Sequence, residues 1–507
     1  MNWYKIISII LALCLLAGCG GGDYVPTGNG LTPDGEETVN NSPIDSGEEQ
    51  TLTLTYYRDK SMNPLLGTDY TNRALFSLVY QGLFSVDRDY NPRPVLCKNY
   101  TVSKDMKTYT FYLEEATFSD GSVLTVQDVV ASLQAAKESA YYGGRFQYVS
   151  DISLSSDGGV TISLRTGYEN LPLLLDIPIV REAEVAADNP LGTGPYVFTG
   201  QALHRRSDWW CNASMTITAR EIGLVEAENN TQIRDEFEFG ELNLVCADPG
   251  SERYTDYRGD YELWDCENGI FLYIACCSSS TVFSNPKVRA ALTHAIDREM
   301  LVDDYYRGFA RAATLPASPL FPHYSNSLAE RYAYDPLKFT EVLKEEGLRD
   351  STVKLLVNKE DTLRLRVARQ IGKMLSDCGL TVQMEELSGK NYQYALSSWG
   401  YDLYVGQTKL SANMDLSAFF SSYGSLSYGG LEDVMSYTLC QQALENHGNY
   451  YTLHQTVMEN GMLCPVLFRS YSVYATRGLL TGLTPSRDNV FYYSLGKTLE
   501  QALIPAE

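Results

Sequence analysis

This chain of 507 residues has five histidines: His204, His294, His323, His447 and His454. None pair at metal-ligand spacing, so a histidine-based zinc or nickel site lacks its donors and no metal is expected. No Gly-x-Ser-x-Gly elbow and no glycine loop suited to cradling phosphate occurs. Ser284-Asn285-Pro286-Lys287 has the Ser-x-x-Lys spacing of a serine acyl-transfer site. Ser284 or Asn285 also suits the cap of a helix, and Pro286 suits its first turn, so capping is the expected role. Paired carboxylates of the kind a glycosidase uses leave no local signature, which keeps a secreted hydrolase as a distant alternative. No catalytic residue and no cofactor is nominated. The 37 tyrosines point elsewhere. Tyrosine offers a rigid apolar face and a hydrogen-bonding tip, which suits a cleft that touches varied ligands.

The elements that must carry such a cleft begin behind a leader. Lys5 precedes a nearly unbroken apolar run from Ile6 to Ala17, too short to span a bilayer and right for a signal segment. Leu16-Ala17-Gly18-Cys19 follows and resembles a bacterial lipobox, whose cysteine is lipidated and becomes the mature N-terminus. Residues 1–18 therefore read as a lipoprotein signal, Cys19 as the lipidation site, and the address as the extracytoplasmic face of a cell membrane. Gly20 to Gln50 carries seven acids and no Lys or Arg, and reads as a disordered tether with a reach of about 30 Å. After cleavage 39 basic residues face 63 acidic ones, a net −24. That charge repels nucleic acid and anionic headgroups. Nine further cysteines stand at irregular spacing with no Cys-x-x-Cys, many of them in apolar runs, and read as buried free thiols.

The body is α/β. Thr51 to Tyr57 alternates as a strand, and Ala74 to Leu83 reads as a short helix. Thr125 and Asp128 form a capping-box pair before a helix through Ala136. Asp151 to Leu154 and Val160 to Leu164 read as a hairpin around Asp157-Gly158-Gly159. Lys287 to Tyr306 reads as one helix. Strand Val353 to Val357, helix Thr362 to Cys378, the stop Gly379 and strand Leu380 to Leu387 make a parallel crossover unit. The strand Tyr401 to Val405 then opens the loop Gly406 to Asp415, on the carboxyl side where such sheets bind ligands.

Several separated stretches carry a resemblance. They are Ser61-Met62-Asn63-Pro64-Leu65, Leu78-Val79-Tyr80-Gln81-Gly82-Leu83, Tyr109 to Leu113 with Phe118-Ser119-Asp120-Gly121 and Thr125 to Val129, Gly192-Thr193-Gly194-Pro195-Tyr196, Val288 to Leu292 with Ala295-Ile296-Asp297-Arg298, and Tyr334-Asp335-Pro336. In this order they resemble family 5 of the extracytoplasmic solute-binding proteins of ABC importers, which includes oligopeptide-, dipeptide- and nickel-binding proteins.

The resemblance implies a two-lobed periplasmic-binding-protein-like fold of class II type, with an extra subdomain on the first lobe. It implies lobe 1 over 51–268, the subdomain at about 76–170, lobe 2 over 269–475, and a return to lobe 1 over 476–507. A peptide ligand would lie between the lobes of a monomer, which would deliver it to permease subunits in the same membrane. A nickel chelate, an oligosaccharide or a sensory role are the alternatives within the fold. The ligand contacts it implies are Met62, Asn63, Gly406, Gln407, Thr408, Asn413 and Asp415. One departure stands out: Asn413 occupies the place of the family's amine-pairing Asp, and a neutral amide cannot form that charge-assisted bond. Asp415 is either its substitute or the cap of a following helix.

Overall fold

The computed structural model describes residues 52–211, 215–250, 257–480 and 482–505. The expected signal, Cys19 and the acidic tether lie outside the described residues.

Two hydrophobic cores define two lobes. One gathers Leu54, Leu78, Phe111, Leu133 and Ile222, and also takes Leu480, Phe491 and Ala502 from the end of the chain. The other gathers Ile274, Leu292, Val357, Ile371, Val405 and Leu467. An eleven-stranded sheet runs through both. Its order is Thr381–Leu387, Thr352–Asn358, Leu403–Lys409, Tyr261–Cys276, Leu463–Thr476, Leu244–Ala247, Leu52–Tyr56, Glu221–Glu226, Ala202–Arg205 and Tyr196–Phe198, with Ala310–Ala312 paired to Leu463–Thr476 off this path.

The two long strands, Tyr261–Cys276 and Leu463–Thr476, join the lobes. They pair antiparallel from Tyr261 opposite Thr476 to Ala275 opposite Leu463, and the register shifts between Glu267 and Phe271. Cys266, Val473 and Ala475 belong to the first core, whereas Phe271 onward and Leu463 to Phe468 belong to the second. The break therefore lies where the strands leave one core for the other. Gly269 makes it possible: its φ of +70° costs a glycine little, and a Cβ there would stand 3.1 Å from Leu410 O. Asn268 Oδ1 accepts Ile270 N at 3.0 Å across the same kink.

In the second lobe, Thr352–Asn358 and Thr381–Leu387 pair in parallel through the helix Thr362–Asp377. Asp361 caps that helix by accepting Arg364 N at 2.9 Å. Leu363, Val367, Ile371 and Leu375 recur every fourth residue and bury one face against the sheet. Each side chain so buried contributes about 1.5–3 kcal/mol.

On the first lobe a four-stranded antiparallel sheet, Cys97–Val102, Thr108–Leu113, Val160–Leu164 and Val149–Leu154, is the extra subdomain. The helix Val126–Glu138 contributes Val129, Leu133 and Ala136 to the same core, and the Thr125–Asp128 capping box starts it.

Two expected helices are broken. Lys287 to Tyr306 is instead Pro286–Leu292, a 3-10 turn at Thr293–Ala295, and Arg298–Tyr306. Asp297 accepts Met300 N at 3.1 Å and restarts the helix as a cap. Arg298 turns inward and donates to the carbonyls of Thr293, Ala313 and Pro465. Ala74 to Leu83 is instead Tyr70–Ala74 followed by Phe76–Val79. Tyr80 ends it in extended backbone and sends its hydroxyl to Met62 O at 3.0 Å.

Eight of the nine cysteines among the described residues are free and buried, and the ninth, Cys211, is half-buried.

Candidate functional site

Charged side chains collect where the strands cross. Arg469, on Leu463–Thr476, donates from Nη2 to both oxygens of Asp248 at 2.8 and 2.9 Å, and from Nη1 to Gln407 Oε1 at 3.3 Å. Gln407 donates onward to Asp361 Oδ2 at 3.0 Å. Burial pulls the Arg469 pKa down, Asp248 and Tyr306 push it up, and the net direction is up. This network ties the first lobe to the strand and helix start of the second.

A second group lies beside it. Lys409 closes the strand Leu403–Lys409 and donates to Asn268 O at 2.5 Å and to Asp488 Oδ2 at 2.5 Å. The same oxygen of Asp488 accepts the Tyr141 hydroxyl at 2.9 Å, and the Lys409 ammonium lies 4.9 Å from the Tyr141 ring centre. Burial alone would push the Asp488 carboxyl up, but Lys409, with Arg487 and Arg73 behind it, outweighs burial and holds it below the usual carboxylate range. Lys409 is raised in turn: burial lowers it, and Asp488 and Tyr141 more than compensate.

Arg487 and Asp488 are the centre of a tight turn in which Ser486 and Asn489 exchange backbone bonds at 2.9 and 2.7 Å. Both have positive φ, 31° and 63°. Non-glycine residues pay about 1–3 kcal/mol for such conformations, which persist where the surroundings over-determine them and cluster at functional sites. Here Ser486 donates to Val86 O at 2.8 Å, Asp488 N donates to Glu267 O at 3.1 Å, and Lys409 grips the carboxylate.

The turn forms one wall of a cavity of about 110 Å³, also lined by Arg73, Tyr141, Arg145 and Asp176. That space holds several water-sized groups. Arg73 stands in the short helix Tyr70–Ala74, capped by Asp69, which accepts Thr71 N at 2.9 Å. Asn72 ties the helix to the end of strand Leu52–Tyr56 by bonding Tyr57 N and O at 2.8 and 2.9 Å. Arg73 then lies over the Tyr141 ring, its Cζ 3.5 Å from the ring centre, and donates to Tyr142 Oη at 2.9 Å. Arg145 pairs with Asp176.

Further contacts bridge the lobes. Gln147 of the subdomain donates to Ser417 Oγ at 2.6 Å. Glu169 N donates to Leu444 O at 2.9 Å, and His447 N donates to Glu169 Oε2 at 3.2 Å. The helix Val434–Glu445 gives Leu439 and Cys440 to the second core and Leu444 to the first. These contacts join the lobes at their rim.

The residues nominated from sequence fall in three places. Met62 and Asn63 are buried in the first lobe. Asn63 Nδ2 donates to Val185 O and Ala187 O at 3.0 and 2.7 Å, and its Oδ1 accepts Leu65 N at 2.9 Å. Gly406 lies opposite Tyr273, whose ring a Cβ would meet at 2.4 Å. Gln407 and half-buried Thr408 follow on the same strand, beside Lys409. Asn413 is buried, and its carbonyl accepts the Tyr450 hydroxyl at 2.6 Å. Asp415 accepts Ser417 N and Oγ at 3.0 and 2.5 Å at the start of the helix Ser417–Phe420, and burial raises its pKa. Its carboxylate thus holds the hydroxyl that Gln147 reaches across the lobes.

Arg73, Tyr141, Arg487 and Asp488 were not foreseen. The Ser486-Arg487-Asp488-Asn489 tetrad is a turn signal in sequence. Only the return of the chain end to the first core brings it to the cleft. Among the described residues no cluster of His, Cys, Asp or Glu is arranged to hold a metal ion, and no helix is long and apolar enough to cross a membrane.

Residues 91–430 match the bacterial extracellular solute-binding proteins, family 5, over that family's middle region. The chain belongs to this family. The glutathione-binding protein GsiB of Escherichia coli K12 is 28% identical over 310 residues, 57% of this chain and 59% of GsiB, so the match leaves much of that relative's length uncovered. The ABC transporter substrate binding protein CtaP of Listeria monocytogenes superposes with a TM-score of 0.71 at 17% identity, over 90% of this chain and 99% of CtaP. The oligopeptide-binding protein AppA of Bacillus subtilis, solved with a nonapeptide, superposes with a TM-score of 0.62 at 18% identity, over 89% of this chain and all of AppA (100%). These two likenesses bear on the fold. The relatives are binding proteins, not enzymes.

Proposed function

We propose that this protein captures short peptides between its two lobes and hands them to the permease of an ABC importer in the same membrane. The observation that supports this most is the joint itself: two cores linked by strands whose register breaks between Glu267 and Phe271, with a cavity lined by Arg73, Tyr141 and Arg487 set beside the break. A joint of that kind lets closure report that a ligand is present. In this reading residues 1–18 are removed, lipid on Cys19 anchors a monomer, and residues 19–50 tether it. Residues 51–268 and 476–507 form lobe 1, with the subdomain at about 76–170, and residues 269–475 form lobe 2. Gln407, Thr408 and the loop through Asn413 and Asp415 would face the ligand from lobe 2, while Met62, Asn63 and Gly406 shape the walls.

The test is thermal melting of the purified mature protein with pooled di- to pentapeptides, sugars and metal chelates. Ligand at a hundred times its Kd adds about 2.7 kcal/mol, enough to raise the melting temperature by several degrees. The peptide pool is expected to do so. If no pool shifts the transition, capture is the wrong function. If only chelates or sugars shift it, the fold serves another solute. Cys19→Ala protein is expected in the medium rather than on the membrane, still binding.

A further inference from the structure

Two arginines of the cavity wall are bonded to no carboxylate among the described residues. Its two acids are both committed: Asp176 pairs with Arg145, and Asp488 pairs with Lys409 at 2.5 Å. Nearby Glu267 is also engaged, by the hydroxyls of Tyr90 and Ser318 and, at 3.9 Å, by Arg311. Two guanidinium groups of the wall have no carboxylate partner among the described residues. Arg73 donates only to the carbonyls of Pro64 and Gly67 and to Tyr142. Arg487 donates only to Leu410 O, at 3.4 Å, and lies 5.0 Å from the Tyr90 ring centre.

Arg487 is only 8% exposed, and its Nη1 is buried with no hydrogen-bond partner. Three other side chains of the same wall, Ser77, Ser85 and Asn489, also hold a buried oxygen with no partner. An unpaired buried guanidinium nitrogen costs stability unless something answers it. The turn that carries Arg487 is held in a positive-φ conformation in spite of its cost. Nothing in this wall offers a free anion to a ligand's ammonium group, whereas Glu267, Asp488 and Asp176 act on Arg487 only at a distance and leave its Nη1 unbonded.

We propose that this cavity is a carboxylate-binding subsite, with Arg487 as its anchor, Arg73 as the second positive charge, and Ser77 and Asn489 as the polar flank. It takes one acidic end of a ligand, such as a peptide's terminal or side-chain carboxylate. The planar fork of Arg487 suits a carboxylate better than a point charge does. The assignment rests on the peptide-capture reading for the identity of the rest of the ligand, but not for the charge of the end it holds.

The test is isothermal titration of the mature protein with two tripeptide libraries, matched in composition and free of Asp and Glu, one as free acids and one as C-terminal amides. Free acids are expected to bind at least tenfold more tightly. Equal binding of both overturns the subsite and leaves peptide capture standing. If neither library binds, a panel of small dicarboxylic acids and their diamides decides: stabilisation by an acid alone keeps the subsite and removes peptide capture, and no effect removes both. Arg487→Gln is expected to abolish the acid preference and Arg487→Lys to retain part of it. Asn489→Asp, which adds an anion to the wall without touching the guanidinium, is expected to weaken acid binding tenfold or more. An acid preference unchanged in folded Arg487→Gln and Asn489→Asp proteins overturns the assignment.

Discussion

Two polar clusters meet the crossing strands, and they differ in how completely their charges are answered. Around Arg469 the cation has both oxygens of Asp248, and Gln407 links it to Asp361. Around the cavity the acids are likewise taken, by Arg145 and Lys409, but Arg73 and Arg487 remain without one. A cation bonded to a carboxylate holds parts together, because removing one member strands the other in low dielectric. A buried cation bonded to no carboxylate is ready for a partner from outside. The difference separates fastening from reception within a few residues of the same strands.

The largest expected effect tests the fastening side. Arg469→Ala leaves Asp248 and Gln407 without their cation, and should cost about 3–5 kcal/mol in urea unfolding. Arg487→Gln, measured without ligand, should cost about 1 kcal/mol or less, since it gives up one long hydrogen bond and a ring contact. Equal costs for the two would erase the contrast.

The next effect comes from a third cluster, at the rim where the lobes touch. His454 is buried and its pKa is pushed down to about 3, first by burial and then by His323. His323 and His447 are also lowered, chiefly by burial, with their rings 4.6 Å apart. Glu169 from the first lobe faces His447 and moderates the shift. The unfolded chain takes up protons below the ordinary value of 6.5 that the folded chain refuses. Stability is therefore complete above that pH and falls as pH drops through it. His454 alone should remove about 2 kcal/mol between pH 6.5 and pH 5. The urea midpoint should fall accordingly, and His454→Gln should flatten the dependence. A midpoint level over that range would place these rings in solvent.

The smallest effect sharpens the picture of closure. Gln147→Ala removes one bond between subdomain and second lobe, worth about 0.5–1.5 kcal/mol. The ligand-free protein should shift toward an open form in small-angle scattering, with global unfolding little changed. A fall in the unfolding midpoint with no change in scattering would make the bond part of one lobe's stability rather than of closure.

What the sequence disclosed was what neighbouring residues decide between themselves. The Thr125–Asp128 capping box and the parallel unit from Val353 to Leu387, with Gly379 stopping its helix, were legible because three-residue spacing or helical periodicity specifies them. The helix over Lys287 to Tyr306 was misread as unbroken. There the apolar period continues across Asp297, yet the carboxylate finds a better use as a cap and Arg298 finds backbone carbonyls inside. The loop expected over Gly406 to Asp415 starts later, because Gly406 to Lys409 continue the strand and pair with Ile270 to Tyr273, and the charge sent toward the first lobe is Lys409, not Asn413 or Asp415. Arg73, Tyr141 and Asp488 meet from opposite ends of the chain, and no local pattern announces a meeting made by the return of the C-terminal segment.

The ion pair of Lys409 and Asp488 has one more property. Each residue is also bonded to the joint itself, Lys409 Nζ to Asn268 O and Asp488 N to Glu267 O. Such a pair is placed as a pivot pin rather than a latch: were the lobes to swing, it would stay joined while Gln147 and Ser417 at the rim part and meet. A ligand arriving at an opened molecule would then find Lys409, Asp488 and the Arg487 beside them already in position. Little of its binding energy is spent on arranging charge.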